Sequence, residues 1–134
     1  MVLAASAGPA LADSPAAKEA GEQVKRGYKA AKRGYWQEAL FRFERANELT
    51  PKEPRILNNI AIALEASGRF EEAMVVYQTA LAVAPNDRVV RENYSRFQEF
   101  YEAEVAGPRP EPAEEAQAES GGADAVAEEG SDDA

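Results

Sequence analysis

The sequence predicts an all-α protein built from helix-turn-helix units, and three observations support that fold class. Residues 34–51, GYWQEALFRFERANELTP, return 34 residues later as GRFEEAMVVYQTALAVAP. Within each copy the apolar residues follow the spacing of one helix face. Each copy begins with glycine and ends with proline, and both residue types stop helices. A repeat of this length is a packing unit, so the chain is predicted to be a stack of helix pairs.

Composition argues against most familiar catalytic sites. The chain of 134 residues contains no Cys and no His, which removes disulfides, Cys/His zinc sites, thiol nucleophiles and Ser-His-Asp triads. Carboxylates are the plausible groups left for acid/base chemistry. The adjacent pairs at residues 71–72 and 128–129 are predicted at an exposed helix start and in an acidic tail, where nothing raises a pKa. We therefore expect no enzyme activity, no bound metal and no cofactor.

The negative charge is concentrated at one end of the chain. The net charge is -9, yet residues 13–106 carry 14 Lys or Arg against 15 Asp or Glu, whereas residues 107–134 carry 1 against 9. A segment so acidic and so poor in apolar residues is predicted to be disordered. It is interpreted as a solubilising tail or, alternatively, as a competitor for the basic first helix. Nothing in this balance favours binding to nucleic acid or to an anionic membrane.

The first residues resemble the end of an export signal. MVLAASAGPALA is small and uncharged and finishes in Ala10-Leu11-Ala12, the A-x-A form of a signal-peptidase site. Residues 1–13 are interpreted as a signal-peptide remnant of a periplasmic or otherwise exported protein, and alternatively as a disordered start on a cytoplasmic one. No stretch approaches the roughly 20 apolar residues of a membrane span, so direct membrane insertion is not expected.

Aligned at the repeat period, small, aromatic and proline residues pair across the copies: Ala39 with Ala73, Phe43 with Tyr77, and Pro51 with Pro85. This order and spacing resemble the A-x3-F then P signature of the tetratricopeptide repeat, which has the same period. The first helices match the family's W-x2-L-G-x2-Y more weakly, as Gln23, Arg26, Gly27, Ala30 and as Leu57, Ile60, Ala61, Leu64. The resemblance covers about residues 14–105 and implies antiparallel helix pairs in a short right-handed superhelix.

The resemblance also sets the predicted boundaries. A domain over residues 14–106 would hold repeats at about 20–53 and 54–87 and a capping helix at about 87–105. Ser14-Pro15 and Asp87 suit the starts of the first and last helices. In the first helix, the positions that face a preceding unit in the family are all charged: Glu22, Arg26, Lys29 and Arg33. In the last helix, the corresponding positions are apolar: Val90, Tyr94, Phe97 and Tyr101. The stack is predicted to start at the first helix and to be capped by the last helix.

In the family, the first helix of each pair lines a concave groove that holds a partner's peptide or helix. Carrying those positions over gives a predicted groove of Val24, Tyr28, Lys32, Arg55, Asn58, Ile62, Glu65, Glu92, Arg96 and Glu99. Tyr28 beside Ile62 would form an apolar pocket, Asn58 would hold a peptide backbone, and cationic side chains would meet a carboxylate. Ordinary core packing for Tyr28, a satisfied surface amide for Asn58 and solvated faces for the charges are the alternatives.

The resemblance implies a non-catalytic adaptor that binds another protein, and the export signal adds bacterial cell-envelope assembly as the expected setting. The alternative is a self-associating structural module that dimerises through its groove or end faces, because an array of two repeats is short. Sedimentation would separate the two interpretations.

Overall fold

The computed structural model describes residues 14–108. Residues 14–101 belong to one compact unit of the chain, and residues 102–108 belong to a second. The first unit holds α1 (Pro15–Lys32), α2 (Trp36–Leu49), α3 (Pro54–Ala66), α4 (Phe70–Val83) and α5 (Arg88–Phe100). A π-helical turn, Tyr101–Val105, follows α5. The described residues contain no strand, so the all-α class is confirmed. The predicted leader and the acidic segment from residue 109 onwards lie outside the described residues.

Local sequence determines where the helices begin and end. The Ser14 Oγ accepts a hydrogen bond from the Ala17 amide, and Pro15 is the first residue of α1. The Asp87 carboxylate caps α5 in the same way, accepting from the Val90 amide at 3.1 Å. These caps satisfy amides at the helix N-termini that have no partner within the helix.

Two glycines close α1 and α3 with the same turn. Gly34 and Gly68 have φ of 77° and 76°, in the left-handed region where a Cβ would be strained. After α1, the Tyr35 amide donates to the Ala30 carbonyl at 3.0 Å, and the Gly34 amide donates to the Ala31 carbonyl at 2.9 Å. This pair of bonds is the Schellman motif. The turn after α3 repeats it, so each helix pair is joined by the same reversal.

The helices stack in sequence, with α3 at the centre. Helix α1 packs on α2, α2 on α3, α3 on α4, and α5 on both α4 and α3. Eight of the 13 residues of α3 are buried, because this helix packs against α2, α4 and α5. Alanines with no exposed surface occur where helices cross: Ala39, Ala46, Ala61, Ala63, Ala73 and Ala80. Such small side chains let the helices approach closely.

The two ends of the stack differ as the sequence predicts. Glu22, Arg26, Lys29 and Arg33 on α1 are all exposed. In contrast, Val90 and Phe97 on α5 are fully buried, while Arg91 and Ser95 on its other side are exposed. Helix α5 therefore covers the apolar side of the second helix pair. Its regular α-helix ends at Phe100, and the π-helical turn continues over the last five residues of the predicted capping helix.

Candidate partner-binding site

The first-helix wall is the surface formed by α1, α3 and α5, which lie side by side. Polar contacts join these helices between residues 31 to 35 positions apart, among them Asn59 to Tyr28 and Asn93 to Asn58. Since this separation is close to the repeat period, equivalent residues of the three helices are neighbours. They form rows that cross the wall.

Two neighbouring rows near the C-terminal ends of these helices are open to solvent. The upper row is Tyr28, Ile62 and Arg96, and the lower row, four residues further along each helix, is Lys32, Ala66 and Phe100. Tyr28 is 50% exposed, Phe100 is 38% exposed, and Ile62 is half-buried. From α1 to α5, the upper row therefore has an aromatic, an aliphatic and a cationic side chain. The lower row has a cationic, a small and an aromatic side chain.

Tyr28 combines a structural contact with an exposed ring. Its ring meets the buried Phe43 ring edge to face, with centroids 5.8 Å apart. Its hydroxyl oxygen accepts a hydrogen bond from the Asn59 Nδ2 at 3.2 Å, which ties α1 to α3. Half of the side chain still faces solvent. The ring is thus held in place before any partner arrives, which lowers the entropy lost on binding.

Asn58 does not lie on the open surface, contrary to the expectation that it would hold a peptide backbone. It is 3% exposed, and its Oδ1 accepts a hydrogen bond from the Asn93 Nδ2 at 3.1 Å. Helix α5 covers this position, because its Asn93 side chain lies against α3. The amide ties α3 to α5 and satisfies a polar group that would be costly to bury alone.

Glu65 and Arg96 form a second tie between α3 and α5. The Arg96 Nη2 lies 3.6 Å from the Glu65 Oε2, and the buried Tyr77 hydroxyl donates to the same oxygen at 3.0 Å. Burial raises the pKa of Tyr77 well above its usual value, and the Glu65 charge raises it further. The Tyr77 hydroxyl therefore stays protonated and keeps Glu65 in place, whereas the Arg96 side chain is 62% exposed.

Arg55 has a similar structural contact at the other end of α3. Its Nε donates to the Asp87 Oδ2 at 2.9 Å, so one carboxylate both caps α5 and binds α3. The hydrogen bond from Arg55, with the amide of Val90, lowers the pKa of Asp87. Five predicted groove residues thus take part in contacts that hold the wall together: Tyr28, Arg55, Asn58, Glu65 and Arg96. Sequence spacing gave no sign of these contacts.

The remaining predicted groove residues are accessible to different extents. Val24 is half-buried against the core, and Lys32, Glu92 and Glu99 are exposed. Glu92 accepts a hydrogen bond from Arg88 on the same helix at 2.7 Å. The open part of the wall thus carries both signs of charge.

A pocket of about 280 Å³ opens on the wall where α3, α4 and α5 meet. We call it the α3–α5 pocket; its lining is Ile62, Glu65, Ala66, Phe70, Arg96 and Phe100. The Phe70 and Phe100 rings meet edge to face at 5.4 Å, and both lie near the fully buried Phe97. The spacing of Phe70 fits the apolar side of α4, a pattern that indicates core packing and gives no sign of a pocket.

Over residues 14–108, no cluster of three or more acidic side chains is arranged to hold a metal ion. None of the helices in that range has the length and apolar character to cross a membrane.

Two comparisons with known proteins agree on the repeat. Residues 30–92 match the family model of the tetratricopeptide repeat. A TPR repeat-containing thioredoxin of Arabidopsis thaliana is 39% identical over 71 residues, which are 53% of this chain and 10% of the relative. The chain thus spans about a tenth of that relative's length.

Proposed function

This chain is a tetratricopeptide-repeat protein over residues 30–92, and we propose that it is an adaptor that binds an extended segment of a partner protein on the first-helix wall. Repeats of this family generally mediate protein–protein interaction and are typically non-catalytic. Stacked helical repeats present extended surfaces that suit such binding. The proposal for this chain concerns which surface binds and what it recognises.

The two open rows, on a wall that is already tied together, carry the proposal. Tyr28 is held by a hydrogen bond from Asn59 and is ordered beforehand, and Arg96 lies 3.6 Å from Glu65 in an ion pair. A preformed surface loses less entropy on binding. Aromatic and arginine side chains are also the residues that contribute most at protein interfaces. Such a row suits a segment with both apolar and polar side chains.

A pull-down with the full chain tests whether the wall is the working surface. The wall variant is Tyr28→Ala with Arg96→Ala, and the matched control is Phe41→Ala with Arg45→Ala on α2. Each removes one aromatic and one arginine of similar exposure: Tyr28 and Phe41 are 50% and 56% exposed, and the two arginine side chains 62% and 51%. Both variants are first checked for unchanged helicity by circular dichroism.

The expected result is that mass spectrometry finds specific proteins retained by the native chain and by the control but lost from the wall variant. Recombinant binding of the retained protein, measured by calorimetry, then gives the affinity. Equal recovery by all three chains would show that the wall is not the binding surface.

A second candidate function is self-association, and the exposed outer side of the second helices favours it. Phe41 on α2 and Val75 on α4 occupy equivalent repeat positions and are 56% and 61% exposed. Apolar groups so exposed at repeated positions suit an interface between copies. A mass that rises with concentration in sedimentation, and falls for Phe41→Ser with Val75→Ser, would support this function. A constant monomer mass would exclude it.

The setting that we propose is the bacterial cell envelope. Its support is the Ala10-Leu11-Ala12 sequence alone, which lies outside the described residues. Sequencing the N-terminus of the protein recovered from a periplasmic fraction tests it. A mature chain that starts at Asp13 is expected, and recovery of the protein only from the cytoplasm with Met1 in place would contradict export.

A further inference from the structure

We propose that the α3–α5 pocket is an anchor site for one bulky, uncharged apolar side chain of the bound segment. This inference rests on the proposed function and names the chemistry of the partner. Ile62 and Arg96 belong to the upper row, and Ala66 and Phe100 belong to the lower row, so the pocket lies between the two rows. A segment that follows either row from α1 to α5 therefore passes beside it.

The size of the pocket fits one large side chain. Its volume of about 280 Å³ is roughly nine times the 30 Å³ that a water molecule occupies in the liquid. It is slightly smaller than the sites of about 300–1,000 Å³ that hold whole small molecules. The pocket therefore suits a single side chain inserted from a longer segment.

The lining favours an apolar side chain. Ile62, Ala66, Phe70 and Phe100 supply carbon surface, and the ring contacts of Phe70 and Phe100 with each other and with Phe97 fix the aromatic side. Water against this carbon surface has few polar partners, so its release by an apolar group is favourable. The pocket is also set at a junction of three helices, which limits its collapse.

The opposite charges of the two ionised residues in the lining largely cancel. Glu65 and Arg96 lie 3.6 Å apart, and the Tyr77 hydroxyl donates to the same Glu65 oxygen. A charged side chain entering the pocket would lose its hydration and meet both signs at once, which is unfavourable without a matched partner. The exposed Arg96 guanidinium has N–H donors beyond its contact with Glu65, and these can donate to a main-chain carbonyl of the segment.

A phage-displayed library of random short peptides, selected on the immobilised full chain, tests the anchor. The key variant is Ala66→Leu, which adds a branched side chain at the pocket. The matched control is Ala82→Leu, at an exposed helical alanine of α4 that does not line the pocket. A second variant, Ile62→Ala, enlarges the pocket, and the Tyr28→Ala variant reports on the wall outside it.

The expected result is enrichment of Leu, Phe, Trp or similar residues at one position of the selected peptides. Replacing that residue by Ala in a synthetic peptide should weaken binding by about tenfold or more, the cost of losing one buried apolar side chain. Ala66→Leu should weaken the parent peptide similarly, and Ala82→Leu should not. Ile62→Ala should shift the preference towards larger anchors.

Several outcomes would overturn the inference. Enrichment of Lys, Arg, Asp or Glu at the anchor position would show recognition of charge instead. Peptides that bind through Tyr28 but are unaffected by Ala66→Leu and Ile62→Ala would leave the wall as the binding surface and remove the pocket from it. Selection of no binding peptide, or of peptides insensitive to every wall substitution, would contradict both this inference and the proposed function.

Discussion

Replacing Gly27 by alanine should expose how tightly α1 packs on α2. A Cβ built at Gly27 would lie 2.4 Å, 2.7 Å and 2.9 Å from three atoms of the Phe43 ring. Carbon atoms in contact prefer separations of about 3.5–4.0 Å, so the ring must move by roughly 1 Å. Phe43 is only 3% exposed, and its ring also supports Tyr28. Overpacking of this kind typically costs about 1–3 kcal/mol.

The same helix supplies a control. Gly21 is exposed, and a Cβ there would meet nothing within 4 Å. Gly21→Ala should therefore show only the helix-propensity gain of about 1 kcal/mol. Gly27→Ala has the same gain in helix propensity, but the clash with Phe43 offsets it. The net change in the free energy of unfolding should lie between roughly zero and a loss of about 2 kcal/mol. The second repeat has Ala61 at the equivalent position opposite Tyr77, both fully buried, so a Cβ can be accommodated where the helices pack around it.

Urea denaturation of the full chain, followed by circular dichroism, measures both free energies of unfolding. The difference between the two variants should be about 1–3 kcal/mol, or about 4–8 °C in Tm for each kcal/mol in a domain of this size. Phe43→Leu in the Gly27→Ala background should recover part of the loss. If Gly27→Ala stabilises the protein as much as Gly21→Ala does, the close approach of α1 to Phe43 is wrong.

Three further perturbations test the wall and the cap. Phe97→Ala should lower the free energy of unfolding by about 3–5 kcal/mol in chemical denaturation, because the ring is fully buried. The control Phe41→Ala, at an exposed ring, should change it by less than about 0.5 kcal/mol. Similar losses for the two variants would refute the role of α5 as a cap. Asn58→Ala leaves Asn93 without its acceptor and should lower the free energy of unfolding by about 1–3 kcal/mol. Adding Asn93→Ala to that variant should cost less than Asn93→Ala alone does in the native chain, and additive losses would contradict the contact. Tyr77→Phe should cost about 1.5–3 kcal/mol at neutral pH through the lost bond to Glu65. Above about pH 10 the unfolded native chain releases a Tyr77 proton that the folded chain retains, so native stability falls by up to about 1.4 kcal/mol per pH unit. The difference from Tyr77→Phe should therefore narrow with rising pH, and a constant difference would refute the raised pKa.

The helices could be predicted from the sequence because their limits are local. Ser14 caps the amide of Ala17, three residues away, and Gly34 is the residue that adopts the left-handed conformation after α1. The burial of α3 on two sides follows from the spacing of its apolar residues. These features depend on backbone sterics and on which face of a helix is apolar. Both backbone sterics and the apolar face of a helix can be read from residues that are close together in the sequence.

The site was less predictable, because its residues depend on how far neighbouring helices overlap. Helical position placed Asn58 on the correct side of α3, but the overlap of α5 buries it. Phe70 has core spacing in the sequence, yet its edge also lines a pocket with Phe100. The contact of Arg96 with Glu65 joins two helices and depends on their separation. Sequence spacing gives a residue's direction from its own helix and leaves these distances undetermined.

The central helix uses two adjacent polar residues to place both of its neighbours on the wall. Asn59 donates to Tyr28 on α1, and Asn58 accepts from Asn93 on α5, although both asparagines are buried. Apolar burial is non-directional, so it favours packing without selecting one register. A buried amide is satisfied only when its partner is within hydrogen-bond distance, and this requirement penalises shifted arrangements. The two asparagines therefore help to fix how α1, α3 and α5 are aligned. This alignment determines which side chains stand together in one row and contact a bound segment.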